Sequence, residues 1–116
     1  MLLEEREYYK PFIYPWAFEF YKKQQQMHWL PDEVPLQDDI RDYKEKLTEG
    51  ERTLIDNIFK FFTQADVDVC CGYAKHYLPT FKQPEIRMML VAYAAMEAVH
   101  QEAYSLLLET LGKSDD

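Results

Sequence analysis

The sequence is poor in glycine, in basic residues and in long apolar runs, and each shortage removes a class of protein. Only three of its 116 residues are glycine, which argues against a loop-rich or all-β fold. The formal net charge of −8 disfavours nucleic acid and anionic membranes as partners, because a polyanion would be repelled. No apolar run reaches the roughly 18 residues that a membrane-spanning helix needs. The acidic, mixed segment 1–10 does not have the pattern of a signal peptide.

Cysteine is also scarce, and its placement indicates a reducing compartment. The two cysteines, Cys70 and Cys71, are adjacent, and neighbouring cysteines rarely form a disulfide without strain. We therefore expect free thiols and a cytoplasmic location. Apolar residues make up 47% of the chain and charged residues 29%, as in a globular protein. The length suits one small domain.

Proline, glycine and capping residues divide the chain into three helical blocks. The blocks are expected at about 14–29, 48–77 and 84–112, because their apolar residues recur at helical spacing. The proline-containing segment 30–47 is expected to be a connector that can hold a short helix. The sequence therefore predicts an all-α fold, with 1–116 forming one helical segment of about three main helices.

Two helix ends and one composition anomaly stand out. Thr48 and Glu51 have the spacing of a capping box, and Gly112 suits the residue just after a helix end. The middle of the third block, MMLVAYAAMEAVH, is apolar on almost every face, so it must be covered on all sides. Three main helices cannot surround one of their own number, so we expect another chain, another copy or further sequence to complete the cover.

The apolar stripe of the second helix contains a carboxylate. Asp66 lies four residues after Phe62 and three before Val69, so it lies within the stripe rather than opposite it. Burying an isolated carboxylate is costly unless a cation or hydrogen bonds compensate the charge. Asp66 is therefore a candidate metal ligand.

The third helix carries a matching pair. Glu97 and His100 are spaced i, i+3 and are flanked by apolar residues, which is the Glu-x-x-His arrangement of carboxylate-bridged di-iron and di-manganese bundles. With Asp66, the pair would supply half of a dinuclear metal site. The motif alone is weak, since the same spacing also occurs in solvent-facing pairs.

Two aromatic residues have open interpretations. Tyr104 follows His100 by one turn on the same face, so it is either a core tyrosine or a redox-active phenol beside an oxidising metal pair. Trp29 is expected to end the first helix, where a core or rim residue is the simpler interpretation.

Three segments, taken in order, resemble the small, radical-generating subunit of class I ribonucleotide reductase. They are YPWAFEFYKKQQQMHWLPDEVPL, KLTEGERTLIDNIFKFFTQADVDV and MEAVHQEAYSLLLETLG. The resemblance covers nearly the whole chain and implies the N-terminal helices of a ferritin-like bundle. It also implies a part in starting the reduction of ribonucleotides to deoxyribonucleotides in a large subunit.

The resemblance implies a role for each candidate residue. Asp66 would be a terminal ligand of one metal, Glu97 the bridging carboxylate, and His100 the imidazole ligand. Tyr104 would be the phenol oxidised to a radical, and Trp29 an early station in radical transfer. A ligand set rich in oxygen suits iron first, with manganese as the other possibility.

The resemblance also implies partners, because the family needs two more glutamates and a further histidine. These would come from a complementary chain, beside the large subunit and a second small subunit. One alternative is a homodimeric di-iron storage or oxidase protein, in which two copies share one symmetric site. Another is a helical interaction module without metal chemistry.

Overall fold

The computed structural model describes residues 1–112, and these residues are helical without strands, which confirms the all-α prediction. The helices are α1 (Pro15–Gln26), α2 (Gln37–Glu45), α3 (Glu49–Gly72), α4 (Leu78–Thr80) and α5 (Pro84–Thr110). A 3-10 turn, Pro31–Glu33, precedes α2, and a π-helical turn, Tyr73–Tyr77, joins α3 to α4. The expected connector 30–47 therefore contains one short helix. No helix in the described part of the chain is long and apolar enough to cross a membrane.

The start of α3 is fixed by the predicted capping box. The Thr48 N–H donates to Glu51 Oε1 at 3.0 Å, and the Glu51 N–H donates to Thr48 Oγ1 at 3.2 Å. Each bond satisfies a backbone donor that has no partner within the helix. The bonds from Thr48 also hold the pKa of Glu51 below its ordinary value.

The end of α5 also follows the sequence. Gly112 has a φ of 78°, a left-handed conformation that residues with a Cβ rarely adopt. Its N–H donates to the carbonyl of Glu109 at 2.9 Å, which satisfies one of the carbonyls left open at the helix end.

The end of the first helix differs from the prediction. The sequence predicts a helix that reaches Trp29, but α1 ends at Gln26. The Met27 N–H donates a hydrogen bond to the Lys23 carbonyl at 3.0 Å, at the end of the last turn. Pro31 disfavours helical backbone only at the preceding residue, so it does not account for the three residues between Gln26 and Leu30. Leu30 is indeed extended, with φ −116° and ψ 145°. Trp29 therefore lies in a loop.

The described residues fall into two compact units, and α3 and α5 each contribute to both. Unit 1 comprises 1–28 and 68–98, and unit 2 comprises 29–67 together with the residues from 99 onward. The core of unit 1 forms around Ala17, Ile86 and Leu90. In unit 2, the Tyr43 hydroxyl of α2 lies 2.9 and 3.0 Å from the two carboxylate oxygens of Asp56 on α3.

A buried ion pair ties the N-terminal segment of unit 1 to the start of α5. Arg6 donates to both carboxylate oxygens of Glu85, at 2.6 and 3.1 Å, and also to Gln83 at 2.9 Å. The N–H groups of Ile13 and Tyr14 donate to the same carboxylate at 2.8 and 3.0 Å. Burial alone would raise the pKa of Glu85, but these hydrogen bonds outweigh it and lower the pKa.

The long helices leave much apolar surface open. Helix α3 contains no buried residue, and Leu54 and Phe61 are 60% and 68% exposed. On α5, Val91 is 53% exposed. Exposed apolar surface of this kind is typical of a contact site for further helices, and the helices that would cover it stay a prediction.

Candidate metal centre

The three residues proposed as metal ligands come together in the structure. Asp66, Glu97 and His100 each present a ligand atom, and these atoms all lie within 4.8 Å of one another. All three side chains are half-buried. The grouping consists of two carboxylates and one imidazole, donors that suit iron and manganese.

Helix geometry explains the grouping. Asp66 lies in α3, while Glu97 and His100 lie one turn apart in α5, so they project from one face of that helix. The side-chain amide of Gln101 donates to the backbone carbonyl of Asp66 at 3.3 Å. This bond, within unit 2, joins α3 to α5 beside Asp66 and His100.

One atom of the group lacks a partner. Asp66 Oδ2 is buried and has no hydrogen-bond partner among the described residues. A buried carboxylate oxygen without a partner costs free energy and is uncommon in native proteins. A metal ion would compensate it, so the residues that are present fit a cation.

The predicted phenol is embedded among aromatic rings. Tyr104 lies in α5 one turn after His100, and its ring stacks on Phe62, with centroids 5.7 Å apart and planes 18° apart. Phe59 approaches the same ring with centroids 6.0 Å apart. These contacts, all within unit 2, limit the access of water to one side of the ring. The radical role of Tyr104 stays a prediction.

Trp29 is not part of the ligand group. Its side chain is half-buried in the loop after α1, and its proposed role in radical transfer stays a prediction. Cys70 and Cys71 are free thiols, as expected, and neither belongs to the ligand group among the described residues.

The structure adds a tyrosine cluster that sequence analysis did not identify. In unit 1 the Tyr73 ring contacts Tyr77 and Tyr93, with centroids 5.6 and 6.4 Å apart. Burial raises the pKa of Tyr73, and the nearby Glu97 carboxylate raises it further. The i, i+4 spacing of Tyr73 and Tyr77 is visible in the sequence, but the contact with Tyr93, which lies on another helix, is not.

An all-helical chain that gathers two carboxylates and a histidine from two helices has the ligand types of the carboxylate–histidine metal sites that helical bundles can hold. The particular family follows from comparison with known proteins. The family described as "Ribonucleotide reductase, small chain" matches residues 6–116. The chain belongs to this family.

Relatives and solved structures agree with the family. The chain is 52% identical over 111 residues to a probable ribonucleoside-diphosphate reductase small subunit, 376L, of Invertebrate iridescent virus 6, which covers 96% of this chain. It is 36% identical over 100 residues, 86% of its length, to the small subunit from Dictyostelium discoideum. These matches cover 31% and 30% of the relatives, so the chain spans about a third of their length.

Two solved structures show the ferritin-like fold. The Rnr4 homodimer of Saccharomyces cerevisiae superposes with a TM-score of 0.87 at 23% identity, over 97% of this chain and 37% of that one. The R2 subunit from Clostridium botulinum gives a TM-score of 0.77 at 28% identity, over 84% and 30%. The first comparison bears on the fold alone. Together they confirm that the chain forms the helices of about one third of such a subunit.

Proposed function

We propose that this chain is a portion of a ribonucleoside-diphosphate reductase small subunit that supplies half of a dinuclear metal site and a radical-forming tyrosine. The observation that carries the proposal is the convergence of Asp66, Glu97 and His100, whose ligand atoms lie within 4.8 Å of one another. Family membership supports the same role. The radical would start the reduction of ribonucleotides to deoxyribonucleotides in a large subunit.

The ligands have distinct roles in this proposal. Asp66 would bind one metal, with its buried Oδ2 as the donor that otherwise has no partner among residues 1–112. Glu97 would bridge the two metals, and His100 would bind through one ring nitrogen while a neighbouring acceptor orients the other. When bound, an iron or manganese pair would supply the oxidising power for one-electron oxidation of a phenol. We propose iron first because the donors are mainly oxygen.

Tyr104 would hold the unpaired electron. Its phenol would lose one electron and one proton, and its place one turn after His100 puts it beside the ligand set. Phe59 and Phe62 pack against the ring and would exclude water and small reductants that would quench a radical. Trp29 would pass the oxidising equivalent toward the large subunit.

The proposal requires partners. A complementary chain, or further sequence of the same protein, would supply two glutamates and a histidine. A second small subunit and the large subunit would complete the enzyme, and we propose that it acts in the cytoplasm without binding nucleic acid or membrane.

A chimera tests the proposal. This chain would replace the matching third of the iridescent virus 6 relative, to which it is 52% identical. We expect two metal ions for each chimeric chain and a tyrosyl radical signal in electron paramagnetic resonance after exposure to oxygen. Asp66→Ala should lose metal, whereas Asp68→Ala, two residues along and exposed, should keep it.

Two results would contradict the proposal. Tight binding of two metals by pairs of this chain alone would favour the homodimeric storage or oxidase protein. Equal metal content in the Asp66→Ala and Asp68→Ala chimeras would favour a helical module without metal chemistry.

A further inference from the structure

The tyrosine cluster of unit 1 extends from a proposed metal ligand to solvent. Tyr93 lies one turn before Glu97 on α5, and its ring lies 6.4 Å from that of Tyr73. Tyr73 in turn lies 5.6 Å from Tyr77, which is 49% exposed. Three phenols in series therefore lead from the turn of α5 next to Glu97 to a ring that is exposed among residues 1–112.

The backbone at the cluster is unusual. Tyr73 and Tyr77 are the first and last residues of the π-helical turn, a rare conformation that recurs at functional sites. The Glu97 carboxylate lies close enough to Tyr73 to interact with it electrostatically. The three residues are tyrosines, whose phenols can lose one electron and one proton, whereas phenylalanine in the same places could not.

We propose that Tyr93, Tyr73 and Tyr77 form a relay through which an oxidising equivalent that does not reach Tyr104 leaves the metal site and is discharged at the surface. The relay would protect the ligands from oxidation. The source of the oxidising equivalent rests on the function proposed above, whereas the connection between the rings does not.

The electron and proton balance is simple. Tyr93 would give one electron to the oxidised centre and its phenol proton to water. Tyr73 would then pass one electron and one proton to the Tyr93 radical, and Tyr77 would pass one electron and one proton to the Tyr73 radical. A soluble one-electron reductant such as ascorbate would return an electron to the Tyr77 radical, and water would return the proton.

A photochemical experiment tests the relay without metal. A ruthenium polypyridyl complex oxidised by a light flash, with persulfate as the electron acceptor, would attack exposed tyrosines of the full chain. A second oxidation and addition of water convert the radical to a catechol, which peptide mass spectrometry locates. We expect catechol at Tyr73, which is less exposed than Tyr77, because the radical passes inward from Tyr77.

The control is matched in exposure. Tyr77→Phe should abolish oxidation at Tyr73, whereas Tyr9→Phe should leave it unchanged, since Tyr9 is 48% exposed and packs on Phe12. Both changes remove only a hydroxyl group, and circular dichroism would verify that the fold is kept. Oxidation of Tyr73 that is unchanged in Tyr77→Phe, or absent from the unsubstituted chain, would overturn the relay.

A second experiment separates the relay from the proposed function. In the metal-loaded chimera with Tyr104→Phe, oxygen should generate a radical whose signal is lost when Tyr93→Phe is added, because Tyr93 is the first residue of the relay. If that radical persists without Tyr93, the relay is wrong although the metal site stands. If the chimera binds no metal, the proposed function is wrong. The photochemical experiment still decides whether the three rings form a relay.

Discussion

The buried ion pair between Arg6 and Glu85 allows a stability prediction worked from the structure. The Glu85 side chain is fully buried and that of Arg6 is 3% exposed, with the closest nitrogen and oxygen 2.6 Å apart. Removing one partner from a buried pair costs about 3–5 kcal/mol, because the remaining charge is left uncompensated. In Arg6→Met, Glu85 would keep the N–H groups of Ile13 and Tyr14, so we expect the lower end of that range.

The loss would be a large part of the total stability. A small domain typically has an unfolding free energy of about 5–15 kcal/mol. Urea unfolding followed by circular dichroism would measure the difference between the unsubstituted protein and Arg6→Met. The double change Arg6→Met with Glu85→Leu should cost less than the sum of the two single changes, because no buried charge is left.

The control is an exposed pair. Arg41 lies 3.6 Å from Asp38, with both side chains mostly in solvent, so Arg41→Met should cost less than about 1 kcal/mol. A cost for Arg6→Met as small as that of Arg41→Met would refute the reasoning. Strict additivity in the double variant would refute it as well.

The Glu85 carboxylate also makes the free energy of unfolding fall at acid pH. The pKa of Glu85 is lowered in the folded state, so its contribution is fully present above the pKa of about 4.3 in the unfolded chain. The contribution disappears as the pH falls through the lower folded value. Glu85→Gln should lower stability at neutral pH and flatten its dependence on pH below about 4.3. If the stability of Glu85→Gln fell with acid as steeply as that of the unsubstituted protein, this account would be contradicted.

Three local contacts give further predictions, all measured by urea unfolding. Thr48→Ala removes the hydroxyl half of the α3 capping box and should cost about 1 kcal/mol, whereas Thr48→Ser should cost little; equal losses would argue against the cap. Gly112→Ala should cost about 1 kcal/mol, because its φ of 78° is unfavourable for alanine, and a gain in stability would contradict the left-handed end of α5. Tyr43→Phe removes the hydrogen bond to the Asp56 carboxylate and should cost about 1.5–3 kcal/mol; no loss would show that the contact is not stabilising.

The helix boundaries that local chemistry determines were predictable from the sequence. The capping box at Thr48, the proline that begins α5 and the glycine that ends it all lie where expected. The end of α1 was not, because no proline, glycine or capping residue marks the end of the helix at Gln26.

The proximity of the three side chains was predictable because charge inside an apolar stripe is costly and therefore conspicuous, whereas their binding of metal stays a prediction. Asp66, Glu97 and His100 interrupt the stripes of two helices, and the structure brings them together. Partners that are distant in sequence left no such signal. Arg6 and Glu85 are separated by 79 positions, and neither has an unusual local pattern.

The tyrosine relay was missed for a different reason. Counting a period of 3.6 residues carries the second helix straight through 73–77, whereas the backbone there widens into a π-helical turn. The contact between Tyr73 and Tyr93 joins two helices, and spacing within one helix cannot reveal it.

The central claim is that Asp66, Glu97 and His100 bind a metal pair. Its most direct test is a crystal structure of the metal-loaded chimera, with anomalous scattering recorded on both sides of the iron absorption edge. We predict two anomalous peaks, with an oxygen or nitrogen atom of each of the three residues in direct contact with metal. Peaks at other residues, or these three side chains turned toward solvent in the loaded protein, would contradict the claim.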